Sequence, residues 1–340
     1  MTTSPGRLLL RFCKAIAMLV AAIVVVLVGG FAWLSLTPLR PIAIPPDHPA
    51  GSYDEAIATF RTIAAREATL PLHPRCHSTL LTHGRKTALV VVFFHGLTNC
   101  PAQADELASQ LFDLGYNVYI PRLPGHGEAD PLTLALVDMT AEDLVNNAQT
   151  SVDMAQGLGD EVVVIGLSAG GTVATWLAQS RADVGNAIPV APFLGLHFLP
   201  SWADRAAANL LLVLPNMMVW WDPSNPMGDT EMDYAYPRYA THALGEVLRL
   251  GGLVQAEARY APPAAQRLGM LLNAADFTVS NARNESVIAA WRSQGRDVTL
   301  KTLPLEHGLP HDLIDPRQAD ADVAFVYPIL IGMIGNQADP

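Results

Sequence analysis

Val162-Val163-Val164-Ile165-Gly166-Leu167-Ser168-Ala169-Gly170-Gly171-Thr172 is the stretch that decides how this chain folds. The β-branched run predicts a buried strand, and Val173-Ala174-Thr175-Trp176-Leu177-Ala178 directly after it predicts a helix. A strand that feeds straight into a helix must turn sharply, and residues with no Cβ, or only a methyl, tolerate such a turn. Gly166 and Gly170 leave the room, so Ser168 is pushed out at the tip. A hydroxyl held at a helix N-terminus, where backbone N–H groups and the dipole favour negative charge, is a candidate nucleophile.

Upstream, Ala88-Leu89-Val90-Val91-Val92-Phe93-Phe94 is apolar on both faces, as a central strand must be. It ends at His95-Gly96-Leu97-Thr98-Asn99-Cys100-Pro101, and a helix is expected from about Ala102 to Leu114, ended by Gly115. A shorter strand is expected at Ser78-Thr79-Leu80-Leu81 and another at Asn117 to Ile120. The turn-rich Pro121 to Gly127 loop follows; its His126, between two glycines, reads as a loop-fixing group rather than a catalytic one. Thr140, with Glu142 and Asp143 in the next turn, caps the helix that leads to the Ser168 strand. Downstream, short strands are expected at Asn186 to Pro192, Gly269 to Ala275 and Val298 to Pro304. The last two run into Asp276-Phe277-Thr278-Val279 and into Leu305-Glu306-His307-Gly308-Leu309-Pro310-His311-Asp312. An apolar helix near Val323 to Ile334 closes the chain, too short and too interrupted by Pro328 to span a bilayer.

From about residue 193 to 266 the alternation of strand and helix stops. This segment carries Trp202, Trp220, Trp221 and the run Leu210 to Leu214, and it is expected to form a mostly helical cap over the carboxyl ends of the strands, where ligands of open α/β sheets bind.

Ahead of the domain, Arg7, Arg11 and Lys14 precede an uncharged apolar run from Ala15 to Leu36. Its 22 residues make about 33 Å of helix, against roughly 30 Å of hydrocarbon core. The run continues through Phe31-Ala32-Trp33-Leu34 without a small-x-small cleavage site, so it reads as an uncleaved signal anchor comprising residues 1–37. The basic flank puts the N-terminus in the cytoplasm and the rest on the far side of the membrane. Five prolines between Pro38 and Pro49 make residues 38–52 a stiff extended linker, leaving 53–340 as one α/β domain with the cap inserted. The net charge of −11 argues against nucleic acid as a partner. Cys76 and Cys100 would both lie in an oxidising compartment and are expected to pair; their spacing does not suit a metal. Asn284-Glu285-Ser286 matches a glycosylation acceptor, a pattern that arises often by chance.

Ser168, Asp276 and His307 thus fall in order at the ends of successive strands. Together with Phe94-His95-Gly96-Leu97-Thr98, Pro124-Gly125-His126-Gly127 and Asp276-x-Thr278-Val279, this order resembles the α/β-hydrolase superfamily in its carboxylesterase and monoacylglycerol-lipase-like branch, over about residues 75 to 335. The resemblance implies a doubly wound, mainly parallel sheet, no metal and no organic cofactor. It implies Ser168 as nucleophile, His307 as general base and Asp276 as the acid that orients it. His307 is preferred to His311 because it is nearer the strand end and has the family's spacing to Asp312; Asp276 is preferred to Asp222, Asp229 or Asp233 in the insertion. Backbone N–H groups of Leu97 and Ala169 would hold the oxyanion, with His95, Gly96, Gly166 and Gly170 supporting the loop and the turn. The expected activity is cleavage of small apolar acyl esters by a membrane-anchored serine hydrolase. A peptidase, thioesterase or acyltransferase would use the same residues, and a non-catalytic binding protein on this fold is the reading from another class.

Overall fold

The computed structural model describes residues 5–225 and 232–335. Seven strands form the main sheet: β1 (Thr79–Leu81), β2 (Thr87–Phe94), β3 (Asn117–Ile120), β4 (Gly159–Leu167), β5 (Asn186–Val190), β8 (Arg267–Asn273) and β9 (Thr299–Leu303). Their spatial order is β1-β3-β2-β4-β5-β8-β9, parallel throughout except for the antiparallel edge strand β1. Residues 162–165 of β4 and 90–94 of β2 are almost wholly shielded, as strands covered on both faces must be.

The helices between strands are α3 (Asp105–Asp113), α4 (Ala141–Ala155), α5 (Ala169–Ser180), α7 (Thr241–Ala258) and α8 (Asn281–Ser293). Connections through α4, α5, α7 and α8 all step along the sheet in one direction, whereas β2 to β3 through α3 steps in the other. Right-handed crossovers therefore put α3 on the opposite face from the rest. The direction reverses at the neighbours β2 and β4, and the crevice beyond the carboxyl ends of such a pair is where this architecture binds ligands. The local chemistry matches: Thr140 and Asp143 form a capping box on α4, Ser52 caps α2 (Tyr53–Glu67), and Pro101 sits in the first turn before α3.

Two expectations change. The insertion contains α6 (Asp204–Val213) and an antiparallel hairpin of β6 (Met218–Trp220) with β7 (Arg238–Ala240). However, α7, which also lies within 193–266, packs on α5 and buries Ala243, Val247, Leu250 and Val254 in the main core. It belongs to the layer flanking the sheet, so the cap proper ends near Ala240; the periodicity of α7 alone does not tell which surface it covers. The proline-rich segment is not a free spacer either. Leu39 and Ile42 pack on the core, and the buried Arg181 binds Asp47 at 2.9 Å while also binding Asp153 and Asp183.

The first helix, α1 (Pro5–Leu36), includes a 25-residue apolar stretch, Phe12–Leu36, whose most apolar part is not buried in the protein. The closing helix α9 (Val323–Gly335) is half that length and packs against β5. Cys76 and Cys100 form a disulfide that ties the segment before β1 to the loop after β2. Cys13 is a free, exposed thiol, and Asn284 is wholly buried, which excludes it as a glycan acceptor in the folded chain.

Candidate active site

The turn between β4 and α5 is as tight as its sequence requires. A Cβ on Gly166 would lie 2.1 Å from the Gly170 carbonyl oxygen, and one on Gly170 would lie 2.0 Å from that of Phe94. Ser168 itself has φ 57° and ψ −113°, a strained backbone that persists only when its surroundings over-determine it. They do: its N–H donates to Val190 O at 3.0 Å, and its carbonyl accepts from Thr172 N at 2.9 Å and Phe193 N at 3.0 Å. The side chain is left half-exposed at the wall of a cavity of about 540 Å³. That cavity is mostly apolar, lined among others by Leu97, Ala169, Phe198, Trp221, Tyr239 and Phe277.

Asp276 follows β8 with its carboxylate fully buried. Its Oδ1 accepts from Thr278 N at 2.8 Å and Val279 N at 3.3 Å, which aims Oδ2 at an imidazole. That imidazole belongs to His311, whose Nδ1 is 2.6 Å away. His311 Nε2 is buried without a hydrogen-bond partner and lines the cavity with Ser168.

His307 is elsewhere. It ends a single 3-10 turn, Leu305–His307, is exposed, and stacks on Phe325 with ring centroids 4.0 Å apart. The assignment of the orienting carboxylate's partner to His307 is therefore corrected to His311. The physical reason lies after β9. The 3-10 turn and the left-handed Gly308 (φ 57°) reverse the chain before it comes back over the end of β8. There Asn273 Nδ2 donates to the carbonyls of Leu309 at 2.9 Å and Pro310 at 3.1 Å. On the other side Asp312 Oδ2 accepts from Gln103 Nε2 at 2.6 Å and Asn99 Nδ2 at 3.1 Å. His311 is thus clamped through both neighbours. Asn273, Gln103 and Asn99 escaped the sequence reading, although an amide at the end of a hydrophobic strand, as at Asn273, is a usable signal.

The same Gln103 accepts from Gly96 N at 2.8 Å, so one amide connects the loop after β2 to the histidine loop. His95 underlies that loop: it is buried, hydrogen-bonds Gly96 O, and accepts from Leu123 N at 3.1 Å. Burial, and then the neighbouring His126, hold its pKa well below the ordinary value; burial likewise brings His126 down to about 4. Both rings are neutral at physiological pH and serve as fixed wedges. Desolvation pushes the Asp312 carboxyl up to about 6 against the opposing hydrogen bond from Gln103. The cap closes on the loop through Thr98, which takes a hydrogen bond from Trp221 Nε1 at 2.8 Å and one from Tyr236 N at 2.7 Å. Of the other acids considered, Asp222 is exposed and bonds Ser224, Asp233 faces His73 at 3.7 Å, and Asp229 lies outside the described residues. Among the described residues no cluster of His, Cys, Asp and Glu suits a metal ion.

A doubly wound sheet with a strained serine at its switch point and a buried carboxylate–imidazole pair beside it defines an α/β-hydrolase. The model of the hydrolase family described as serine aminopeptidase S33 matches residues 85–314, more than half of the chain, and the chain belongs to that family. A thermostable monoacylglycerol lipase of Bacillus sp. (strain H-257) is 31% identical over 133 residues, covering 35% of this chain and 51% of the lipase. A pyrethroid hydrolase of Sphingobium wenxiniae is 32% identical over 97 residues, covering 28% of this chain and 33% of the hydrolase. The matched segments thus span about half or less of these relatives. Among solved structures, a monoglyceride lipase of Saccharomyces cerevisiae superposes with a TM-score of 0.58 at 14% identity, covering 76% of this chain and 91% of its own. A monoacylglycerol lipase of Paleococcus ferrophilus gives 0.57 at 15% identity, covering 76% and 98%. These likenesses establish a shared fold.

Proposed function

We propose that the chain is a membrane-anchored serine hydrolase that cleaves carboxylic esters with apolar acyl groups. The observation that carries this reading is the Asp276–His311 hydrogen bond, with the free His311 Nε2 lining the same cavity as Ser168. In the reaction Ser168 Oγ attacks the ester carbonyl carbon while His311 Nε2 takes its proton; Asp276 holds the ring's tautomer and stabilises the cation. The oxyanion takes N–H donors from Leu97 and Ala169, each worth roughly 3–4 kcal/mol in the transition state. The imidazolium then protonates the leaving alcohol, and water repeats the sequence on the acyl-enzyme. The relatives named as a monoacylglycerol lipase and a pyrethroid hydrolase, and the apolar lining, favour esters over peptides. The basic flank of α1 supports a cytoplasmic N-terminus and a catalytic domain on the opposite side.

The test is a panel of p-nitrophenyl esters of increasing chain length, run on the detergent-solubilised full chain with a fluorophosphonate probe. Wild type is expected to hydrolyse the esters and to take the label, and Ser168→Ala to do neither. Label or turnover retained in Ser168→Ala sinks the proposal; labelling without ester turnover redirects it to amides or thioesters.

A further inference from the structure

The cap does not merely sit near the end of α1; it grips it. Asn209 Nδ2 of α6 donates to Leu34 O at 2.9 Å and Thr37 O at 3.0 Å, and Arg205 donates to Ser35 O at 3.4 Å. The last carbonyls of a helix have no intrahelical donors, and hydrocarbon supplies none, so these side chains satisfy what a bilayer could not. Deeper still, the Trp202 ring meets Phe31 edge-on with centroids 5.4 Å apart. Phe31 lies five residues before the end of α1, about 7.5 Å down the helix axis. If α1 spans a membrane, Trp202 is level with the apolar span rather than above it. Yet Trp202 is 67% exposed and Phe198 is 75% exposed, and neither is covered by protein. Large aromatic rings left bare beside a membrane helix suit the interface, where an indole keeps one polar edge wet.

Phe198 carries a second consequence. It lines the Ser168 cavity and stands four residues from Trp202, at most about 14 Å of extended chain. Phe277 lines the same cavity and is also largely bare, so the cavity opens where these two rings meet solvent.

We infer that the segment from Phe198 to Trp202 is a bilayer-docking surface, immersed in the interface of the leaflet from which α1 emerges, and that it holds the cavity mouth against the lipid so that ester substrate enters from the membrane. The occupant is the lipid surface itself. This rests on the anchored reading of α1 and adds to it the orientation of the catalytic domain.

The experiment places single nitroxide labels in the full chain with Cys13→Ser, reconstituted in phosphatidylcholine vesicles, at Phe198→Cys, Trp202→Cys and, as control, Asp160→Cys at the far end of β4. Collisional accessibility to oxygen and to a water-soluble nickel chelate is read at each site. Oxygen is expected to dominate at 198 and 202 and the chelate at 160. Chelate dominance at 198 and 202, or dipolar coupling between labels of different copies in dilute vesicles, overturns the inference. In parallel, Trp202→Asp, which leaves the cavity lining intact, is expected to lose about tenfold on a long-chain ester dispersed in the vesicles while staying within about twofold on a short water-soluble ester. Equal losses on both substrates overturn the route from the membrane. Should wild type cleave neither ester, the hydrolase reading fails and the label accessibilities still judge the docking surface; should α1 be extracted by alkaline carbonate, the anchored reading fails instead.

Discussion

The end of the sheet and the cap above it are built on opposite terms. At the sheet end almost every polar atom has a fixed partner: Ser168 is held by three backbone hydrogen bonds, Asp276 by two amides and an imidazole, and His311 through Asn273 and Asp312. Beneath them, residues 90–94 of β2 and 162–165 of β4 are shielded to within 1%. The cap, by contrast, leaves Phe198, Trp202, Val213 and Met217 mostly bare, and it touches the loop after β2 through Thr98. A catalytic constellation needs geometry fixed to fractions of an ångström, which only a packed and hydrogen-bonded frame supplies. A cap over an apolar cavity needs only to exclude water and admit substrate.

Perturbing each side should show this difference. The largest effect is expected from His311→Ala, which removes the general base from the rigid side: kcat should fall by about 10⁴-fold or more. His307→Ala changes an exposed ring stacked on Phe325 and should leave kcat within about twofold. If the two variants behave the other way round, the geometry after β9 is wrong. Opening the disulfide by Cys76→Ser with Cys100→Ser should lower stability by about 3 kcal/mol, read as a shift of the denaturation midpoint, because it closes a loop with a sequence separation of 24. On the cap side, Trp221→Phe removes the hydrogen bond to Thr98, about 1 kcal/mol, so kcat/KM should fall by roughly fivefold with the fold intact.

The smallest change sharpens the link between the two loops. The Asp312 carboxyl is protonated at acid pH and charged above about 6. Since burial raises this acid, its ionisation costs folding stability: the protonated Asp312 carries no such penalty below the ordinary carboxyl range, and stability is lost as pH rises from there through about 6. In Asp312→Asn that loss, read in chemical denaturation at pH 5 and pH 7, should shrink.

The central strands, the tight turn at Ser168 and the place of Asp276 were legible because they depend on neighbours in sequence: β-branched runs, glycines where a Cβ would collide, and an acid directly after a strand. The disulfide followed from the compartment that the apolar N-terminal run implies. What sequence could not decide was which of His307 and His311 turns back over β8, since four residues of loop geometry and the reach of Asn273 and Gln103 settle it across 30 to 200 positions of chain. Nor could it decide that α7 joins the core, or that α6 clasps the end of α1. Local preference acts over a few residues, whereas the address of an imidazole or the exposed face of a cap is set by what the rest of the chain packs against it.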